Sequence, residues 1–327
     1  MVTSFLQKTK TVIEQTPILS FTWALFRALR PRQWIKNFAL FAGLIFSGQL
    51  NNSVALSQTV YAFLVFCAAS SSSYLLNDVF DIERDRLHPF KSKRPIAAGI
   101  VPAPLAILLA LCLIVLILPI SFLLSPSFFL AVTGYLLLQL FYSSLLKSVI
   151  LLDVIAIAAG FVLRIYAGIW VIDAHLNVWF FLTIISFALF LAIGKRRSEL
   201  TLLKAQAARH RETLLHYPES LLDILTAMFA NSTWLTYAFF TFLQPPIFAR
   251  PKILNLLDIL QLPFTQAKYL MATIPVVLYG VMRYLYIIYE KREGESPERV
   301  LLTDRPLLIT VVLWLVMIIG IIYYLGA

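Results

Sequence analysis

The sequence predicts an all-α integral membrane protein, a bundle of nine transmembrane helices, and three observations carry that prediction. Of the 327 residues, 60% are apolar and only 13% are charged, against roughly a quarter charged in a soluble domain. Charge-free stretches run over 96–146, 224–249 and 306–327, and a spanning helix needs about 20 mostly apolar residues. These stretches are apolar all round, whereas barrel strands alternate over roughly ten residues. Lipid leaves the helix as the remaining way to pair every backbone group. A soluble globular enzyme, a secreted disulfide scaffold and a disordered chain are excluded.

Residues 1–36 come first in the chain. Lys8, Lys10, Glu14, Arg27, Arg30 and Arg32 interrupt their apolar residues, so they lack the clean apolar core of a signal peptide. An amphipathic cytoplasmic segment on the membrane surface is expected there. Residues 37–327 then form one nine-helix domain, with spans at about 37–50, 57–77, 103–122, 127–146, 149–170, 176–194, 220–243, 267–288 and 306–326. No internal repeat or linker divides it. Cys67 and Cys112 lie in apolar segments and are expected to be buried small hydrophobes, without disulfide or zinc spacing.

Charge orients the bundle. With the N-terminus inside, only Arg250, Lys252 and Lys268 of all the Lys and Arg residues fall outside, and Arg164 and Arg283 fall within spans. That asymmetry is the positive-inside signal. It predicts a multi-pass protein of the plasma (inner) membrane with cytoplasmic charged loops at 78–102, 195–219 and 289–305. The net charge of +10 is then topological and needs no nucleic-acid partner. The loop 244–266 is expected to cap the outer end.

The second span ends in Asn77-Asp78-Val79-Phe80-Asp81-Ile82-Glu83-Arg84-Asp85. On a continuous helix Asp78, Asp81 and Asp85 share one face, within about 60° at 100° per residue. As a plain solvated helix end, three like charges would repel and also oppose the macrodipole. A hard cation compensates them, and Mg²⁺ takes oxygen ligands while sharing its shell with substrate phosphates. His88-Pro89-Phe90-Lys91-Ser92-Lys93-Arg94-Pro95 follows. Its prolines shape a loop, and its cations suit phosphate oxygens.

The fifth span carries Asp153 and Arg164 on one face, Gly160 between them. At 1.5 Å per residue they lie about 16 Å apart, too far to pair. Intramembrane charges face a bundle interior or cavity, so each needs another partner: a phosphate for Arg164 and a cation or substrate hydroxyl for Asp153, or a structural ion pair with a neighbouring helix. Tyr142 and Lys147 precede this helix. Tyr217, Glu219 and Asp223 suit the cap of the seventh span and Asp304 the cap of the ninth. Arg283 fits either a headgroup or an interior contact. His88, His175, His210 and His216 are scattered, without metal spacing.

Asn-Asp-x-x-Asp-x-x-x-Asp followed by Arg-Pro resembles the first aspartate motif of the UbiA superfamily of intramembrane prenyltransferases. That resemblance implies a nine-helix bundle with a cytoplasmic mouth, breaking a C–O bond to Mg-bound diphosphate. Most of the superfamily carries a second aspartate-rich motif after the sixth span. Here Gly194-Lys195-Arg196-Arg197-Ser198-Glu199-Leu200 stands in its place. Arg30-Pro31-Arg32-Gln33-Trp34-Ile35-Lys36-Asn37, residues 77–99, 142–168 and 194–200, and the stretch from Tyr284 through Asp304-Arg305-Pro306 together resemble the phosphoribosyl-transferring subgroup. The implied reaction moves 5-phosphoribosyl from its 1-diphosphate to a decaprenyl-phosphate-like lipid of the cell envelope, with Mg²⁺ as cofactor and homo-oligomers allowed. Asn77, Asp78, Asp81 and Asp85 are the implied metal ligands. Asp78, Asp81, Asp85, Asp153 and Arg164 are the implied catalytic set. Lys36, Asn37, Lys91, Arg94, Tyr142, Lys147, Arg164, Lys195, Arg196 and Glu199 would meet the substrates. Two alternatives stay open. One is an aromatic prenyltransferase with an isoprenyl diphosphate and a hydroxybenzoate-like acceptor; the other is a lipid transporter without chemistry.

Overall fold

A computed structural model describes residues 18–87, 91–205, 217–245, 247, 268–291 and 297–325, and all regular structure among them is helical. Lys8, Lys10, Glu14, His88, His210, His216 and most of the 244–266 loop lie outside these residues. Among the described residues, seven helical segments are long and apolar enough to cross a membrane: Ser53–Phe80, Ala103–Leu124, Pro126–Ser144, Leu152–Val171, Val178–Thr201, Tyr269–Glu290 and Arg305–Leu325. The chain is a multi-pass membrane protein.

In chain order, the helices that build it are α1 (Ile18–Ala28), α2 (Phe41–Phe46), α3 (Ser53–Phe80), α4 (Ile82–Arg86), α5 (Ala103–Leu124), α6 (Pro126–Ser144), α7 (Leu152–Val171), α8 (Val178–Ala205), α9 (Glu219–Leu243), α10 (Ile274–Tyr286), α11 (Pro297–Thr303) and α12 (Arg305–Ile319). Two expected spans depart from the seven. α9 has 25 residues, but Thr226, Asn231, Ser232, Thr233, Thr236 and Thr241 dilute its apolar character. The expected span at 37–50 is a 3₁₀ helix, Pro31–Leu40, followed by the short α2.

That irregular segment exists because α3 and α7 enclose it. Asn37, Leu40 and Leu44 are fully buried. The small residues Ala69, Ser70, Ser71 and Ser72 are buried all round one turn of α3, and small residues let backbones approach closely in membranes. Trp34 donates through Nε1 to Ser71 Oγ (3.0 Å), and the Ser71 hydroxyl donates to Leu29 O (2.9 Å). On α7, a Cβ at Gly168 would lie 1.9 Å from Leu40 O, so this crossing requires glycine. Non-helical backbone is tolerated at membrane depth where protein buries it.

Capping fixes the helix ends. Asn52 Oδ1 accepts from Val54 N (3.0 Å) and Ala55 N (3.3 Å) to start α3. Asp304 accepts from Leu307 N (3.0 Å) to start α12, as its sequence position suggests. The same carboxylate accepts from Arg283 Nε (3.1 Å) and Nη2 (2.9 Å), which settles the partner of that arginine. Cys67 is buried, but Cys112 is exposed. It sits on the outward face of α5 with Leu108, Leu111 and Val115, a face suited to lipid.

Candidate active site

The acidic motif does not lie on one continuous helix. α3 ends at Phe80, Asp81 takes φ −100° and ψ 9°, and α4 begins at Ile82. This joint separates Asp81, which turns to Lys147, from Asp78 and Asp85, which share Arg94. Asp78 pairs with Arg30 and with Arg94 Nη1 (3.1 Å). The same Arg94 Nη1 lies 2.5 Å from Asp85 Oδ2, and Asp81 Oδ1 accepts from Lys147 Nζ (2.7 Å). Asn77 Oδ1 accepts from Ser143 Oγ (3.0 Å). Asp78 and Asp85 are buried beneath cations brought by other segments. Among the described residues, no three His, Cys, Asp or Glu side chains gather around a point fit for a metal ion; Asp78 and Asp85 turn to Arg94 while Asp81 turns away to Lys147. The donor set still suits a hard cation: three carboxylates and an amide oxygen within nine residues. Lys91 lies at the surface, in the 3₁₀ turn Lys91–Lys93.

A second charged cluster joins α7, α8 and the approach to α9. The Arg196 side chain is 0% exposed, and its Nε lies 2.6 Å from Asp153 Oδ2, as an ion pair without hydrogen-bond alignment. Its Nη1 pairs with Glu199, and its Nη2 donates to Tyr142 OH (3.2 Å). Tyr217 OH donates to Asp153 Oδ1 (2.6 Å) and accepts from Leu151 N (2.6 Å). Burial and the Asp153 carboxylate push the Tyr217 hydroxyl above the usual tyrosine range. Leu151 takes φ +66°, a conformation L residues avoid, and Tyr217 holds it. The surroundings of Asp153 and Arg196 thus give them to each other, sealed from solvent. Lys195, 3.8 Å from Glu199 Oε1, keeps a side chain 32% exposed. Arg197 reaches Glu219 (2.8 Å) and Asp223 (2.5 Å), so those two acids tie α8 to α9; the expected cap is not made, since Pro218 is the N-cap and no side chain caps α9.

Arg164 stands apart from Asp153, as their spacing requires. It is buried, yet its partners are neutral. Nε donates to Asn37 Oδ1 (2.9 Å), Nη1 to Gly160 O (2.8 Å) and Nη2 to Tyr135 OH (2.8 Å). Asn37 in turn donates to Ser70 Oγ (3.1 Å). A buried cation without a carboxylate is costly unless it serves an anion. Lys36, Arg164 and Arg30 all act electrostatically on the Tyr74 hydroxyl, and the Arg30 guanidinium stacks 4.9 Å from that ring. The 31–40 segment therefore carries its cations to the inner end of the acidic motif.

One residue at this mouth escapes sequence reasoning. Glu298, on α11, accepts from Gln33 Nε2 (3.0 Å) and lies 3.4 Å from Lys36 Nζ. Burial raises its pKa, but Lys36, its own N–H, Gln33 and Lys195 outweigh burial and hold the carboxyl below the usual glutamate value. In the sequence, Ser296-Pro297-Glu298 resembles any helix start, and no local signal ties it to Gln33.

Known proteins resemble this chain in sequence and in fold. The pattern of the UbiA prenyltransferase family covers residues 37–302. The chain is 34% identical over 304 residues to the decaprenyl-phosphate phosphoribosyltransferase of Mycolicibacterium smegmatis, spanning 92% of each protein. It is 33% identical over 305 residues to the Corynebacterium glutamicum enzyme of that name, spanning 91% of this chain and 86% of the relative. The fold matches a UbiA homolog from Archaeoglobus fulgidus bound to GPP and Mg²⁺ with a TM-score of 0.67 at 21% identity, over 91% of this chain and 99% of that one. The chain belongs to the UbiA prenyltransferase family.

Proposed function

We propose that this protein is a membrane-embedded enzyme that transfers 5-phosphoribosyl from 5-phosphoribosyl 1-diphosphate to a polyprenyl phosphate, releasing diphosphate. The observation that carries the proposal is the 34% identity to the Mycolicibacterium smegmatis enzyme over 92% of both chains. The local chemistry agrees with it. The mouth holds one acidic motif, and Gly194-Lys195-Arg196 stands where a second acidic cluster would serve an isoprenyl diphosphate.

In this reading nine segments cross the inner membrane: the seven apolar spans, α9, and the enclosed 31–46 segment with α2. The N-terminus and the charged mouth face the cytoplasm, where the water-soluble donor is. Asn77, Asp78, Asp81 and Asp85 would hold Mg²⁺, which supplies charge stabilisation to the leaving diphosphate oxygens. Arg30, Arg94 and Lys147, already beside those carboxylates, turn their remaining donors to phosphate oxygens. Lys36 and Lys195 take the donor's other phosphate. Arg164, buried among neutral partners, takes the acceptor phosphate at the inner end of the mouth. The acceptor oxygen is anionic, so no general base is needed to create the nucleophile. The cations bring two anions together against their repulsion and hold them for attack at the ribose C1.

The test incubates the purified protein with Mg²⁺, polyprenyl phosphate and 5-phosphoribosyl 1-diphosphate, and seeks the lipid-linked phosphopentose by mass. A parallel reaction contains an isoprenyl diphosphate and hydroxybenzoate. Product in the first and none in the second is expected; the converse overturns the donor assignment.

A further inference from the structure

We propose that Glu298 is a specificity-determining residue that accepts hydrogen bonds from the ribose hydroxyls of the donor. The inference rests on the donor assignment above and deepens it. Its starting point is an apparent conflict of charge. Glu298 sits against Gln33 and Lys36, and Lys195 lies in its electrostatic range. These lysines are the cations assigned to phosphate. A carboxylate among them weakens their hold on any phosphate, at a cost that falls off only slowly in a desolvated site. A site built for phosphates alone gains nothing from it.

Hydroxyl groups resolve the conflict. An ionised carboxylate is acceptor-only, so its natural ligand is a donor. Glu298 Oε1 is used by Gln33. Its Oε2 is buried, faces Lys36 Nζ at 3.4 Å and accepts no hydrogen bond from another residue. The Tyr284 hydroxyl is buried and likewise without a hydrogen-bond partner, within electrostatic range of the Glu298 charge. Buried polar atoms are ordinarily satisfied. An acceptor whose one close partner is a lysine and an unsatisfied donor, within electrostatic range of each other, mark a place where a ligand supplies both partners. A sugar hydroxyl donates through its hydrogen and accepts through its oxygen, so a single hydroxyl, or two neighbouring ones, can meet both.

Position agrees with chemistry. Arg30 pairs with Asp78, stacks on Tyr74, and the Tyr74 hydroxyl lies 3.5 Å from Gln33 Oε1. Gln33 then donates to Glu298. This relay sets the carboxylate to one side of the diphosphate cradle, with the ribose between the donor's two phosphate-bearing ends. Gly194 makes room for Tyr284: a Cβ there would lie 3.3 Å from its ring Cε1 and 2.6 Å from Ile288 Cδ1. An isoprenyl diphosphate carries no hydroxyl, so it would leave Tyr284 OH without a partner and Glu298 Oε2 with Lys36 alone. Sites built to bind a hydroxyl reject analogues that lack it far more strongly than apolar pockets reject a missing methylene.

The experiment compares kcat/KM for 5-phosphoribosyl 1-diphosphate with its 2-deoxy and 3-deoxy counterparts, in the wild type, Glu298→Gln and Glu298→Ala. Wild type should prefer the full ribosyl donor over at least one deoxy donor by about 100-fold or more. Glu298→Ala should lower kcat/KM for the full donor by about 10- to 100-fold, the worth of a hydrogen bond to a charged group. The deoxy donor should barely change, so the preference collapses. Glu298→Gln, whose amide oxygen still accepts, should keep part of it and retain the wild-type melting temperature. If Glu298 merely pins Gln33 and Lys36, every donor falls by one factor and the preference survives, which overturns the proposal. A wild type that transfers nothing from the full donor is a separate result: it removes the donor assignment, and the role of Glu298 with it.

Discussion

Two charged clusters in this protein use the same side-chain chemistry and differ in access. At the acidic motif, Asp78 is sealed, but its cations Arg30 and Arg94 keep 21% and 26% of their side chains exposed. One arginine is shared between two carboxylates. Between α7 and α8, Arg196 and Asp153 are 0% and 2% exposed, and Tyr217 closes the far side. Cations that reach solvent can turn to an arriving phosphate and release their carboxylates to a metal. A sealed pair already carries its desolvation cost and has nothing to exchange with. In the proposed reading, the difference separates charges that act on ligands from charges that tie helices together.

The widest gap between the two clusters should come from Asp81→Asn. We expect this variant to insert and fold but to lose turnover, with the residue of activity needing more Mg²⁺. Its partner Lys147 keeps 13% of its side chain exposed, so removing the charge strands no sealed ion. Turnover near the wild-type level at ordinary Mg²⁺ would place the acidic motif with the structural charges.

The sealed pair should behave in the opposite way. Asp153→Ala leaves Arg196 buried with fewer partners, and breaking a buried pair costs about 3–5 kcal/mol. Replacing both, Asp153→Leu with Arg196→Met, should recover most of that, because apolar substitutes for a buried pair are often neutral. Thermal unfolding in detergent measures both. Activity per folded molecule in the double variant is the sharper reading. We expect it to stay within a few-fold of wild type, and a large loss would return Arg196 to the phosphate-binding set.

How much of this was legible in the sequence depends on the range of the interaction. The long apolar spans were visible, because lipid imposes a local composition on each helix. The acidic motif was visible too, since its spacing is local. The joint at Asp81 was not, because periodicity assumes an unbroken helix. Nor was the 3₁₀ segment at 31–40, whose backbone is set by enclosure between α3 and α7, with Gly168 admitting Leu40. Glu298 was the least visible of all, since its contact with Gln33 crosses 265 residues. The Asp153–Arg196 pair was hidden for the same reason. The spacing of Asp153 and Arg164 correctly forbade their pairing but could not name the partner of either.

Arg164 belongs to neither cluster and tests the distinction most finely. It is as buried as the sealed pair, yet among the described residues it makes no ion pair, only bonds to Asn37, Gly160 and Tyr135. Removing it therefore strands neutral groups, whose cost is modest beside that of an orphaned charge. Arg164→Leu should insert normally, since leucine is favourable at membrane depth, and should melt close to the wild type. Its catalysis should fall by roughly 10- to 100-fold, the loss of a charge-assisted contact worth about 1.5–3 kcal/mol. Arg164→Lys should recover only part, because a point charge cannot reproduce the guanidinium fork held by Asn37 and Tyr135. If polyprenyl phosphate is the anion it meets, the defect should appear in the KM for that lipid more than in the KM for the donor. Full activity in the leucine variant would class Arg164 with the structural charges, and loss of folding in both variants would do the same.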